Sequence, residues 1–227
     1  MHIPKHIVLF PDGNRRWAKK RGLSSLRGHY QGYKNLIDFG NWCKNRGVKV
    51  LTAFGFSTEN WKRTQKEVSY LMKLFEKGLT QCLKDFQKNE VRVKIIGEKE
   101  KLPKSLQKAI EKIEKETKNN KKLYLNLAVN YGGKWDILNA VKNIIKDNIK
   151  LERIDEKLFD SYLSTANLPN PDLVIRAGGE MRLSNFVLWQ AAYSELYFSL
   201  KLWPDFTEED LDSAIQEFDR RQRRFGK

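Results

Sequence analysis

Cysteine is scarce in this chain of 227 residues, and its scarcity is informative. Cys43 and Cys82 form no C-x-x-C pair, which argues against a disulfide framework or a zinc knuckle and for reduced, buried thiols. No uninterrupted apolar run approaches the ~20 residues that a membrane-spanning helix needs. Nor does a charged segment followed by an apolar one open the sequence. The expectation is a cytoplasmic, soluble protein whose contact with a bilayer is peripheral. Proline is also sparse, and no Pro/Ser-rich linker, low-complexity tract or repeat divides the chain; Pro169 and Pro171 bracket only a short turn. One domain over 1–227 is therefore expected. Acidic residues are outnumbered, 28 Asp and Glu against 43 Lys and Arg, and the formal net charge of +15 favours anionic partners. Charge alone does not choose among phosphates, nucleic acid and acidic lipid, and runs such as 99–101 and 118–122 suit solvated helix faces.

What the chain has in quantity is alternation. Apolar, β-rich runs fall at 7–10, 48–56, 91–96, 123–130, 173–176 and 196–198. Between them, apolar positions recur at helical spacing over 30–45, 67–88, 103–118, 134–147 and 207–223. Repeated strand-then-helix units predict an α/β fold with a central, mainly parallel six-stranded sheet flanked by helices. In such open sheets ligands settle outside the carboxyl ends of the strands, so chemistry is sought just after each strand.

Three of those junctions stand out. At the first, the strand runs through Pro11 into Asp12-Gly13-Asn14-Arg15-Arg16-Trp17. The hard carboxylate of Asp12 suits Mg²⁺, Gly13 permits close backbone approach, and the following amides, with Arg16, suit a diphosphate. An Asp-Gly turn with Asn14 as helix cap would account for part of this, but a turn needs no pair of arginines. The second junction, 57–63, offers Ser57 and Asn60 to a polar head group and Arg63 as charge. Phe56 and Trp61 are available there as a floor for an apolar tail, although a capped helix start with core aromatics is the plainer account. The third runs from Arg176 through Gly178 and Gly179 to Arg182 and Ser184, ahead of an expected apolar helix. That set can grip diphosphate oxygens by charge-assisted hydrogen bonds. Glu195 interrupts the apolar stretch 189–198, where a carboxylate is costly unless paired or metal-bound. The basic run at 220–227 reads as a frayed helix end or an anion clamp.

Together these segments resemble a known family. D-G-N-x-R-W-A at 12–18, S-x-E-N-W at 57–61, N-Y-G-G-x-W-D at 130–136 and R-x-G-G-E-x-R-x-S-N-F at 176–186 stand in the order and spacing of the cis-prenyltransferases. The likeness is strongest to the bacterial undecaprenyl diphosphate synthases and spans nearly the whole chain. It implies a Mg²⁺-dependent enzyme with a hydrophobic tunnel, condensing isopentenyl diphosphate with an allylic diphosphate such as farnesyl diphosphate. Undecaprenyl diphosphate, a lipid-carrier precursor for cell-wall synthesis, is the implied product. Asp12 is implied as a metal ligand and, with Asn60, as catalytic; Glu195 is the implied second metal ligand. The allylic substrate would lie among Gly13, Asn14, Arg15, Arg16, Trp17, His29, Ser57, Glu59, Trp61 and Arg63. Isopentenyl diphosphate would meet Arg176, Arg182 and Ser184, with Arg223, Arg224 and Gly226 completing that site from a neighbouring subunit, which implies a homodimer. Two positions depart from the family's pattern: Ser25 replaces a common arginine, with Arg27 as the candidate substitute, and Pro11 replaces a methionine.

The implied reaction joins C4 of isopentenyl diphosphate to C1 of the allylic partner, so stabilising the departing diphosphate is the main electrostatic task. Asp12, Asn14 through a relay, and the substrate's own diphosphate are the candidate acceptors of the proton lost from C2. A lengthening chain needs a dry channel between the sheet and the helices at 30–45 and 67–88, with Ala53, Gly55, Leu71, Leu74, Phe75 and Val93 as candidate walls. A trans-type synthase would need D-D-x-x-D motifs on an all-helical frame, and neither is present. A nucleic-acid module would explain the charge, yet no binding motif is found and the aromatics fall at core periodicity. A non-catalytic partner subunit is disfavoured because Asp12, Asn14 and Arg16 are retained.

Overall fold

The computed structural model describes residues 1–221. In chain order, strand β1 (His6–Phe10) leads to helices α1 (Asn14–Lys20) and α2 (Ser25–Asn45), then to β2 (Val50–Ser57) and a 3-10 turn, Thr58–Lys62. Helices α3 (Gln65–Gln81) and α4 (Leu83–Lys88) precede β3 (Val91–Ile96), α5 (Lys104–Glu116), β4 (Leu123–Tyr131) and α6 (Gly133–Lys146). The chain closes with α7 (Glu156–Tyr162), β5 (Leu173–Arg176), β6 (Glu195–Phe198), a 3-10 turn at Trp203–Asp205 and α8 (Glu208–Arg220).

All six strands pair in parallel, in the order β3-β4-β2-β1-β5-β6. β1 is buried at every position because both sheet faces are covered, which is why its sequence is a continuous apolar run and not an alternating one. Alternate side chains still part company: Ile7 and Leu9 join one layer with Leu51, Phe39 and Trp203, while Val8 and Phe10 join the other with Val174 and Phe186. Each such fully buried side chain contributes roughly 1.5–3 kcal/mol. From β1 the chain goes to β2 on one side, and β5 later returns to the other. The crevice at the carboxyl end of β1 is therefore a topological switch point.

The structure departs from the sequence expectations in three places. The helix expected over 67–88 is broken at Cys82 (φ −86°, ψ 1°), and the break turns Leu83 and Phe86 onto the core. α7 was not expected; it is short, and Asp155 caps it by accepting from the Leu158 N–H at 2.7 Å. The apolar helix expected after Ser184 does not form. Ser184, Asn185 and Val187 hold positive φ (45°, 61° and 41°), and left-handed residues cannot propagate a right-handed helix.

Candidate active site

Asp12 follows the carboxyl end of β1 by two residues. Gly13 adopts φ 103°, a conformation open to glycine, and its N–H donates to Asp12 Oδ1 at 2.6 Å. Arg176 ends β5, whose register sets it beside Phe10, and its guanidinium lies 5.0 Å over that ring. Its Nη2 donates to Asp12 Oδ2 at 3.0 Å, and its Nη1 to Ser184 Oγ at 2.8 Å and to the Arg182 carbonyl. The Arg176 side chain is 5% exposed, yet Nε has no partner. A buried donor without a partner is costly, and the pairing with Asp12 compensates the charge but not this N–H. Arg16 stands 3.7 Å from Asp12 and 3.5 Å from Glu180. The loop at Gly178 passes so close that a Cβ there would meet Arg16 Nη2 at 2.8 Å and the Asp12 carbonyl oxygen at 3.1 Å.

A second wall comes from β2 and α2. Ser57 caps the turn Thr58–Lys62, and its N–H donates to Asn60 Oδ1 at 3.1 Å, which presents Asn60 and Glu59 to the cavity. Further along this wall, Glu67 gathers three basic groups. It accepts from His29 Nε2 at 2.9 Å and Arg63 Nη1 at 3.1 Å, and Arg15 Nε lies 3.9 Å away. Burial holds the His29 imidazole below its ordinary value, against the opposing hydrogen bond to Glu67. Burial pushes the Glu67 carboxyl up, but the His29 hydrogen bond and the charges of Arg63 and Arg15 bring it net below the usual range. Glu67 was missed by sequence reasoning. Two signals marked it: Thr64, three residues earlier, accepts from its N–H at 3.3 Å as a helix cap, and Arg63 lies one turn before it.

One cavity of about 1150 Å³ opens to Asp12, Gly13, Asn14, Arg15, Arg16, His29, Ser57, Glu59, Asn60, Arg63, Arg176 and Ser184, with Glu67 behind His29, Arg15 and Arg63 and not itself on the lining. Phe10, Phe54, Gly55 and Leu71 are among its apolar lining, Phe10 directly under the Arg176 guanidinium. Lys19 and Ser25 also line it, whereas Arg27 is exposed and off the lining. Asn14 turns its amide into the α1–α2 contact, donating from Nδ2 to the Pro11 carbonyl at 3.1 Å. Its Oδ1 has no partner and lies where a Cβ on Gly32 would be, at 2.1 Å, which speaks against a proton relay through it.

Other expected site residues are not brought together. Trp17 donates to Asp205 Oδ1 at 2.7 Å under the Arg21 guanidinium and locks α1 to the Trp203–Asp205 turn. Trp61 packs on Phe56 and donates to Asn130 Oδ1 at 2.7 Å, off the cavity. The Arg182 side chain is 62% exposed and paired with Glu180 at 2.6 Å; only its carbonyl reaches Arg176. Glu195 pairs in register with Leu173, and Leu173 with Ile7, which places it toward the amino end of the sheet and three residues short of the Phe198–Arg176–Phe10 row. At ~3.3 Å per residue it is on the order of 10 Å from the Asp12 edge, and it accepts from Arg221 at 3.1 Å. A metal held jointly by Asp12 and Glu195 of one chain is therefore excluded by strand direction. Arg223, Arg224 and Gly226 lie outside the described residues.

The chain is also similar to known proteins. The family model described as "Putative undecaprenyl diphosphate synthase" matches residues 10–226. An isoprenyl transferase of Fusobacterium nucleatum is 53% identical over 99% of this chain and 96% of its own length. A chloroplastic (2Z,6Z)-farnesyl diphosphate synthase of Solanum lycopersicum is 53% identical over 99% of this chain and 79% of its own. The crystal structure of lavandulyl diphosphate synthase from Lavandula x intermedia, in complex with dimethylallyl diphosphate, superposes with a TM-score of 0.94 at 38% identity, covering 99% of both chains. With the family match, these identities and the fold in agreement, the chain belongs to the undecaprenyl diphosphate synthase family of isoprenyl transferases, the cis-prenyltransferases.

Proposed function

We propose that the protein condenses isopentenyl diphosphate with farnesyl diphosphate and extends it to a long cis-polyprenyl diphosphate of undecaprenyl length, a lipid carrier for cell-wall synthesis. The observation that carries this reading is the convergence of Asp12, Arg16, Arg63, Arg176 and Ser184 on one cavity that Phe54, Gly55 and Leu71 also line. Two diphosphates and a growing hydrocarbon need both kinds of surface in one cavity.

Mg²⁺ fits the donor set. Among the described residues no cluster of three or more His, Cys, Asp or Glu side chains forms a cage. Asp12 nevertheless presents a carboxylate, 39% exposed, whose two oxygens each accept one hydrogen bond and retain lone-pair capacity. Mg²⁺ commonly takes one or two carboxylates and completes its octahedron with water and substrate phosphates. When bound, it would supply charge for the leaving diphosphate. Arg16 and Arg63 hold the allylic diphosphate so that C1 faces the second substrate. Arg176 and Ser184 hold isopentenyl diphosphate, and Arg182 joins by exchanging Glu180 for a phosphate oxygen. The basic tail of a second copy completes this half in a homodimer. The enzyme acts in the cytoplasm, and its lipid product draws it to the inner face of the membrane.

A shorter product is the second reading, and one observation favours it. A Cβ on Gly55 would meet the Phe75 ring and the Ala128 carbonyl oxygen, each at 3.0 Å, so the apolar end is narrow there. The tomato relative bears a short-chain name. Of the other wall candidates Leu71 lines the cavity, whereas Ala53 and Val93 are core. The test is purified protein with farnesyl diphosphate and labelled isopentenyl diphosphate, with and without EDTA, followed by chromatography of the lipid products. Metal-dependent products of undecaprenyl length are expected. Products stopped after one or two additions would establish the shorter reading, and no transfer at all would refute both.

A further inference from the structure

A polar link runs between the two anion-binding halves of the cavity. Asn185 directly follows Ser184, on the loop that Arg176 ties down, and its Nδ2 donates to Glu59 Oε1 at 2.8 Å. Glu59 belongs to the Thr58–Lys62 turn, which also presents Asn60 and is capped by Ser57. On its other side, Asn185 is anchored by the first amides of α6. Its Oδ1 accepts from the Lys134 N–H at 2.9 Å and its carbonyl from the Gly133 N–H at 2.6 Å. Asparagine suits this place for two reasons. It tolerates the left-handed backbone (φ 61°), and its amide offers an acceptor to an N–H and a donor to a carboxylate at once. The packing leaves little slack, because a Cβ on Gly132 would stand 2.8 Å from Asn185 Nδ2 and 2.9 Å from Thr58 Oγ1. Glu59, implied as an allylic ligand, thus has one carboxylate oxygen committed to the opposite loop. Burial pushes its carboxyl up, yet the hydrogen bonds from Asn185 and from its own turn bring it net below the usual range.

We propose that Asn185 is a positioning residue, which through Glu59 fixes the allylic-diphosphate wall relative to the isopentenyl-diphosphate loop. The inference rests on the reaction proposed above. Condensation needs C4 and C1 held within near-attack reach, and misplacement of about 1 Å costs on the order of 100-fold in rate. The bond between Asn185 and Glu59 joins the two elements that set this separation.

The bond has a donor and an acceptor that can be exchanged, which gives the test. Asn185→Asp keeps the acceptor for Lys134 N–H but sets a second carboxylate against Glu59. Glu59→Gln keeps an acceptor for Asn185 without its charge. When both substitutions are combined, the amide introduced by E59Q donates to the carboxylate introduced by N185D, and the link is restored in the opposite sense. Steady-state kinetics with farnesyl diphosphate and labelled isopentenyl diphosphate are compared for all four proteins, with thermal unfolding midpoints measured alongside. N185D is expected to lose roughly 30-fold in kcat/KM for isopentenyl diphosphate, and E59Q a few-fold. The double variant should return to within about three-fold of E59Q. A double variant as poor as N185D, or an N185D of wild-type activity, would overturn the inference. So would rates that merely follow the unfolding midpoints. Failure of the wild-type protein to transfer prenyl groups would instead overturn the proposed reaction, and the inference with it.

Discussion

The two ends of the sheet both carry polar networks, and they are finished differently. At the amino end His6, fully buried, donates from Nδ1 to the Pro169 carbonyl at 2.7 Å, and its Nε2 accepts from the Thr52 hydroxyl at 2.8 Å. Thr52 Oγ1 in turn accepts from Asn126 Nδ2 at 3.2 Å, so a chain of neutral groups crosses β1, β2 and β4. Asp172 Oδ2 accepts from the N–H groups of Lys5 and His6 at 2.7 and 3.0 Å. At the carboxyl end the groups are charged and cationic in excess, and a buried arginine donor is left over. A saturated network holds strands in register. A charged one beside a cavity suits the binding of anions.

Removing Asp12 should break this contrast most severely. Asp12→Ala is expected to lose on the order of 1000-fold in kcat. The structure adds a second duty, since Asp12 also accepts from buried Arg176. Asp12→Ala should therefore lower the unfolding midpoint as well. Asp12→Asn, which keeps an acceptor, should lose nearly as much activity with a smaller change in midpoint. Wild-type turnover in either variant would remove Asp12 from the chemistry.

Acid should attack the other end. Burial lowers the His6 pKa from 6.5 to about 4. Between those values the unfolded chain binds a proton that the folded one refuses, so stability falls as pH drops through this window, by about 3 kcal/mol at most. Denaturant titrations at pH 7 and pH 4.5 should show this slope, and His6→Gln should flatten it. An unchanged slope would mean that other groups govern acid unfolding. Next in size, Arg176→Lys should cost about 30-fold in kcat/KM for isopentenyl diphosphate, because an ammonium cannot serve Asp12 and Ser184 as a fork does. A lysine enzyme of full activity would show that Arg176 is structural. The smallest expected effect is that of Ser57→Ala, about 1 kcal/mol of stability from the lost cap and a few-fold rise in KM for the allylic substrate. A larger kinetic penalty with an unmoved midpoint would instead mark Ser57 as a direct ligand.

Much of the fold was legible because burial on both faces writes parallel strands as unbroken apolar runs, of which His6–Phe10 and Leu173–Arg176 are the clearest. The site was legible where charge accumulates against expectation at a strand end, as around Asp12 and Arg176. It was illegible where a residue's duty is set by direction or by distant partners. Glu195 begins its strand, and in an all-parallel sheet that start faces away from Asp12. Trp17 carries a family motif, yet its partner Asp205 arrives 188 residues later. Glu67 hides one turn into an ordinary amphipathic helix, and only the packing of α2 brings His29 to it. The break at Cys82 has no sequence signature of the glycine or proline kind.

The order of the strands also bears on how the molecule is made. β1 leaves the ribosome first but sits inside the sheet, and its second neighbour, β5, begins 163 residues after β1 ends. At 5–20 residues per second, translation leaves one flank of β1 uncovered for roughly 10–30 s. Throughout that interval Asp12 has no Arg176 to meet. The nascent polypeptide thus carries four of its six strands and the Arg15, Arg16 and Arg63 half of the cavity first, and acquires the last two strands and the Arg176 half nearly at once when its last quarter emerges.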